Sequence, residues 1–231
     1  GGGGCRPAEL RARTPTVRGA RGPLPASVDR KTVAISTAWV VVTEFSVFFR
    51  QAGFMGLEIG FARSKETVNI LMECVFDTCL CGLLYWAFGF AFQFGVGNAF
   101  IGHSNFFLRG APDVYSYGGA TVGVAYPAGV AFLAFFLFQF AFADTASTIT
   151  SGAMVGRTSF KGDILYSTTV SGFFYPIFGH WVWGPGGWLQ TLHTGALSFV
   201  KAGFFFRDFA GSGVVTAGAG VIALLGSLVL G

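Results

Sequence analysis

Five stretches of this chain are apolar over about the length of a bilayer crossing, at residues 33–61, 68–94, 124–150, 164–183 and 209–230. A hydrocarbon core about 30 Å thick takes roughly 20 helical residues to span, so each stretch predicts a transmembrane helix. Between them lie polar joints. RSKE at 63–66 and GRTSFKGD at 156–163 are short. The joint from 95 to 123 is long and carries GNAFIGHSNFFLRGAPD, and the one from 184 to 208 opens on GPGG, which cannot continue a helix. The expected fold is therefore all-α, a polytopic membrane protein of about five transmembrane helices over residues 32–231.

Charge content supports this. Only 11% of the 231 residues are charged and 52% are hydrophobic, with 28 phenylalanines. A soluble domain carries about 25% charged residues, so this chain lacks the polar surface to cover itself in water. The net charge of +4 is concentrated at one end: residues 1–31 hold seven basic side chains against two acidic ones, and the rest is close to neutral. That arm, rich in Gly, Pro and Arg, has no apolar periodicity and is expected to be disordered. It lacks the apolar centre of a signal peptide. It also lacks the interleaved aromatics and the fold that a nucleic-acid-binding tail would bring, so no nucleic acid is expected as a partner. The chain begins GGGG without Met, and the arm's place in the natural mature protein is open.

Cys74, Cys79 and Cys81 are spaced so as to scatter around a helix, and no metal site is expected from them or from Cys5. Ionisable residues inside the spans are another matter, because a charge in hydrocarbon costs at least about 2.5–3.5 kcal/mol. Glu44, Arg50 and Glu58 lie in the first span, Glu73 and Asp77 in the second, and Asp144 in the third. Structural pairing is the expected role for most of them, with Arg50 and Glu58 forming compensating pairs with neighbours. Lys and Arg in the joints lean toward a cytoplasmic side for 63–66 and 156–163. That orientation sets the basic arm outside, against the same rule.

Three stretches in order, QAGFMGLEIGFARSKETVNIL (51–71), FQFAFADTASTITSGAMVGRTSF (138–160) and YPIFGHWVWGPGGWL (175–189) followed by RDFAGSGVV, resemble the ammonium transporter (Amt/Mep/Rh) family. The resemblance covers about residues 33–231. It implies two inverted five-helix repeats with the pore between them, in a homotrimer embedded as a multi-pass protein of the cell membrane, with ammonium or ammonia as the transported partner and no cofactor. By the same resemblance the chain stops where a first repeat would end, and looks like the N-terminal half of a transporter.

The resemblance also assigns residues. Phe142 matches the family's outer pore phenylalanine, Trp183 the tryptophan of the outer ammonium-recruitment site, and Asp208 the aspartate that begins the fifth membrane helix. Aromatic faces hold a cation by about 0.5–2 kcal/mol each. Gln139 shares a helix face with Phe142, three residues away. From the residues alone Trp183 also fits an interfacial anchor, and Phe142 plain packing. Asp208 follows a joint and precedes an apolar run. This predicts an N-cap, whose carboxylate accepts free backbone N–H groups and adds negative potential near a cation route.

Thr216 departs from the family, which commonly has there the first of two histidines lining the pore centre. A hydroxyl cannot relay a proton as imidazole does. Asp208, Ser212, Thr216 and Gly220 repeat every four residues, a small-residue stripe that predicts close helix packing. His180 and His193 fall in or beside the fourth joint and do not replace the missing residue. Nothing in the chain resembles a nucleophile–base constellation, so an enzyme is not expected. The expected function is ammonium transport through recruitment at Trp183 and Phe142, with an ammonium sensor or an inactive fragment as alternatives.

Overall fold

The structure, a computed structural model, describes residues 30–115, 129–191 and 206–231. The basic arm with Cys5 lies outside the described residues, and so does His193. Helix α1 runs Arg30–Phe61, so Arg30 and Lys31 belong to the first helix and not to the arm. A 3₁₀ turn at Ser64–Glu66 leads into α2 (Thr67–Leu84), which continues through a π-helical turn at Tyr85–Gly89 into α3 (Phe90–Phe94). Strands β1 (Val114–Tyr115) and β2 (Val130–Ala131) pair antiparallel and lead directly into α4 (Phe132–Met154). Next come α5 (Phe160–Thr169), a π turn at Val170–Phe174 and α6 (Tyr175–Trp183). A final π turn at Ser212–Ala217 opens α7 (Gly218–Leu230).

Four of these helices, over residues 30–61, 64–94, 132–154 and 212–230, are long and apolar enough to cross a membrane. The expected fourth span is also one continuous helix, from Phe160 to Trp183, but it does not reach the hydropathy of the other four. Its inward face carries Ser167, Ser171 and His180, all fully buried. It begins earlier than the expected 164, because Ser159 caps it by accepting the Gly162 N–H at 3.4 Å. Helix α4 begins at Phe132, after the strand residues Val130 and Ala131, later than the expected 124. Residues 124–128 lie outside the described residues.

Helix α1 is inverted relative to a helix of a soluble protein. On α1 the buried residues are Gln51 and Glu58, whereas Trp39, Phe45, Phe49 and Phe61 are exposed. Apolar residues facing outward on this scale need an apolar solvent. Helix α4 is the central post: most of its residues are buried, and its run from Ala143 to Ser147 is small enough to bring neighbouring backbones close. Contacts between α1 and α4 descend in parallel: Ala131 N–H to Thr37 Oγ1 (3.0 Å), Gln51 Nε2 to Thr148 Oγ1 (3.0 Å), and Glu58 against Gly152. Joints 63–66 and 156–159 therefore share one end of the bundle, and the aromatic site described next lies toward the other.

Candidate functional site

The turn before the last helix is built around Asp208. Its Oδ1 accepts the Gly211 N–H at 2.9 Å, and its Oδ2 accepts the N–H groups of Gly213 (2.9 Å) and Val214 (2.7 Å). The Ser212 hydroxyl donates to Oδ1 at 3.3 Å. These are the donors that a helix start leaves free, and a carboxylate is the natural acceptor at the positive end of a helix. The expected capping role is thus present, but not from the N-cap position. Gly211 stands there with φ +86°, and a Cβ on it would lie 2.8 Å from Val215 Cγ2. Asp208 reaches over this left-handed turn from four residues upstream of Ser212. A glycine is required for the turn to close so tightly.

Asp208 also fixes the tryptophan. Trp183 ends α6, and its indole N–H donates to the Asp208 carbonyl oxygen at 2.7 Å. The indole of Trp183 then meets the Phe142 ring edge to face, with centroids 6.4 Å apart at 64°. Phe142, on α4, contacts Phe138 on its other side at 5.0 Å. Both Trp183 and Phe142 are half-buried, so each retains accessible ring surface. The structure brings together Trp183, Phe142 and Asp208 from three elements. Gln139 is buried, and its Oε1 has no hydrogen-bond partner among the described residues. No described contact joins it to Trp183.

Arg50 is the residue that sequence reasoning misread. Among the described residues the expected compensating pair of Arg50 with a neighbour is absent. The Arg50 guanidinium carbon instead lies 5.8 Å from the centroid of the Phe142 ring, and its Nε donates to Val47 O at 3.4 Å. Glu58 accepts from the Cys74 thiol at 3.4 Å. No linear signal pairs position 50 with position 142. The contact follows from the parallel packing of α1 on α4.

Thr216 is exposed, and so is Ser212, while a Cβ on Gly220 would meet nothing within 4 Å. Of the small-residue stripe expected to pack closely, Asp208 is buried, whereas Ser212 and Thr216 face outward from the described residues. Helix α7 turns the face with Val214, Val215, Ala219 and Ala223 inward instead. His180 is fully buried in the last turn of α6. Its Nδ1 lies 2.8 Å from Gln93 O and its Nε2 2.9 Å from Asn98 O, so it ties α6 to the turn after α3.

Toward the other end of the bundle Glu58, Glu73, Asp77, Asp144 and Asp163 are all buried, and none forms an ion pair with a described basic residue. Thr78 donates to Asp144 Oδ2 at 3.2 Å, Asn69 to Glu73 Oε1 at 2.7 Å, and the Tyr166 hydroxyl to Asp163 Oδ1. The expected pairing is therefore with neutral donors, not with opposite charges. Asp163 was assigned to a joint on its charge. Ser159 as a helix cap was the signal that sets it in the first turn of α5.

A bundle with polar residues inside, lipid-like surface outside and helices of spanning length defines a multi-pass membrane protein, with an aromatic site near one end. Residues 38–231 match the Ammonium Transporter Family, and the chain belongs to that family. It is 39% identical over 189 residues to "Putative ammonium transporter 1" of Caenorhabditis elegans, covering 80% of this chain and 31% of that protein. It is 37% identical over 198 residues to "Ammonium transporter Amt2" of Archaeoglobus fulgidus, covering 85% and 38%. Among solved structures, a "Sensor Amt Protein" superposes with a TM-score of 0.70 at 32% identity, over 87% of this chain and 45% of that one. Candida albicans Mep2, at 24% identity and a TM-score of 0.65, shares the fold. The chain spans less than half the length of these relatives.

Proposed function

We propose that this chain supplies the recruiting side of an ammonium transport path in the cell membrane, with Trp183 and Phe142 as the aromatic surface that first holds NH4+. The observation that carries the reading is the edge-to-face pair of half-buried rings, one of them fixed by its indole N–H on the Asp208 carbonyl. Two ring faces hold a cation by about 0.5–2 kcal/mol each without desolvating it fully. The Asp208 carboxylate spends its oxygens on backbone donors, so it contributes negative potential and geometry and is not a ligand. Membership of the family supports a reading in which ammonium is deprotonated, ammonia passes through an apolar pore, and the protein assembles as a trimer.

The test is ammonium titration of the full-length protein that carries this segment, followed by calorimetry against sodium chloride as control. Trp183→Leu is expected to weaken binding about tenfold, or about 1.4 kcal/mol. Unchanged affinity in a folded Trp183→Leu protein returns Trp183 to the role of an interfacial anchor.

A second reading, an ammonium sensor that binds at the same outer site without conducting, is favoured by Thr216. The hydroxyl has no charged form near neutral pH and cannot carry a proton across a dry pore. The likeness to a protein described as a sensor points the same way.

A further inference from the structure

We propose that Arg50 is an affinity-determining residue of the outer site: a tethered guanidinium that shares the Phe142 ring with the cation recruited there. The inference rests on the reading of Phe142 and Trp183 as the recruiting pair. Arg50 sits in the middle of α1, inside a segment long and apolar enough to cross the membrane. At such a depth an arginine is costly unless paired or wetted. Among the described residues it forms no ion pair. Its contacts are the carbonyl oxygen of Val47, at 3.4 Å, and the Phe142 ring, at 5.8 Å from the guanidinium carbon. The acids of its own helix are engaged elsewhere or distant in the helix: Glu58 accepts from Cys74, and Glu44 lies six residues upstream.

Phe142 is thus loaded from several directions. Phe138 and Trp183 approach it through edge-to-face contacts, at 5.0 and 6.4 Å, and Arg50 lies over its face. A planar, weakly hydrated guanidinium is the protein cation best suited to lie on an aromatic face, and it keeps its charge at every working pH. An ammonium ion held between Phe142 and Trp183 therefore meets a fixed like charge across one ring. It binds only by moving Arg50 aside or by tolerating the repulsion. With the guanidinium carbon 5.8 Å from the ring centroid, a cation on the other side of the ring stands roughly 10 Å from it, and at an effective dielectric of about 20 that repulsion weakens binding roughly tenfold. Arg50 sets the working range of the site to higher ammonium concentrations, and by the same charge it disfavours a doubly charged cation more strongly.

The experiment is the ammonium titration of the full-length protein, with three variants. Arg50→Gln removes the charge and is expected to tighten ammonium binding about tenfold. Arg50→Lys keeps the charge and is expected to stay near the parent. In a Phe142→Leu background, Arg50→Gln is expected to change nothing further, because Arg50 acts through that ring; a purely structural arginine would show its effect on either background. Should Arg50→Gln fail to reach the membrane, Arg50→Met keeps the stem and answers the same question. Unchanged or weaker affinity on neutralising Arg50 overturns the inference. The two proposals fail separately: loss of binding in Trp183→Leu with no gain in Arg50→Gln sinks only the role of Arg50, whereas unchanged binding in Trp183→Leu sinks the recruiting pair itself.

Discussion

Trp183 and Asp208 are 25 residues apart in the chain, yet one hydrogen bond of 2.7 Å joins the indole to the backbone at the start of the last helix. The carboxylate of the same aspartate holds three backbone N–H groups, each charge-assisted bond contributing about 1.5–3 kcal/mol. One residue thus terminates one helix's aromatic tip and initiates another helix. Eight residues further on, Thr216 shows the opposite arrangement, with its side chain exposed. Among the described residues nothing crowds a side chain at this position. In the full-length protein, Thr216→His is expected to gain ammonium-evoked current on a supported membrane, at some packing cost if the stripe of small residues meets a second repeat, while the parent moves little charge. Equal, large currents from parent and variant would show that proton movement never depended on this position.

At the scale of elements, the π turns and the ties between helices decide the shape. Pro176 removes a backbone donor from the helix that spans 160–183, and the π turn just before it absorbs the irregularity, with Tyr175 N–H bonding Val170 O. This turn packs against the π turn of the neighbouring helix, Phe88 lying over Gly172. Near the aromatic end, His180 and Trp181 hold the turn that follows α3: the imidazole faces Gln93 O and Asn98 O, and the Trp181 indole donates to Phe100 O at 2.8 Å. A neutral imidazole has one N–H and carbonyls only accept, so a neutral ring donates one of its two contacts. Gly184 completes the tie, since a Cβ there would lie 2.3 Å from His180 Nδ1. Replacing His180 with Phe keeps the ring but leaves the carbonyl that accepts from it unpaired. The expected loss is about 2–3 kcal/mol in thermal unfolding, with residues 95–102 opened to protease. Full protection of that turn in His180→Phe would show that Trp181 alone holds it.

For the whole molecule, the exposed face of α7 and the groove beside it carry the argument. Between α6 and α7 lies an open groove of about 910 Å³ lined by Phe174, Phe178, Val214, Ile222 and Leu225. The inverted-repeat architecture implied by the family sets a second wall against the first repeat, with the binding site at their interface. The relatives are more than twice as long as this chain. The 231-residue chain expressed alone is accordingly expected not to restore growth of a transporter-deficient strain on low ammonium. Restored growth would show that one such chain, or several copies assembled, builds a complete path.

What the sequence determined by itself was the solvent and the motif order. Long apolar runs with little charge leave a chain no stable surface in water, so the helices, their number and their approximate ends were legible from hydropathy and breakers such as GPGG. Phe142, Trp183 and Asp208 were legible because they stand within local motifs. The tertiary structure alone decided how those residues meet, since the contacts between Trp183 and Asp208, or between Arg50 and Phe142, join distant segments through helix packing. It also decided the partners of the buried acids. Composition counts charges and suggests that opposite ones pair, but in this bundle the nearest donors to Glu58, Asp144 and Asp163 are a thiol and two hydroxyls. The direction each helix face turns is set by what packs against it, and that is why Thr216 faces outward and Arg50 comes to rest on an aromatic ring.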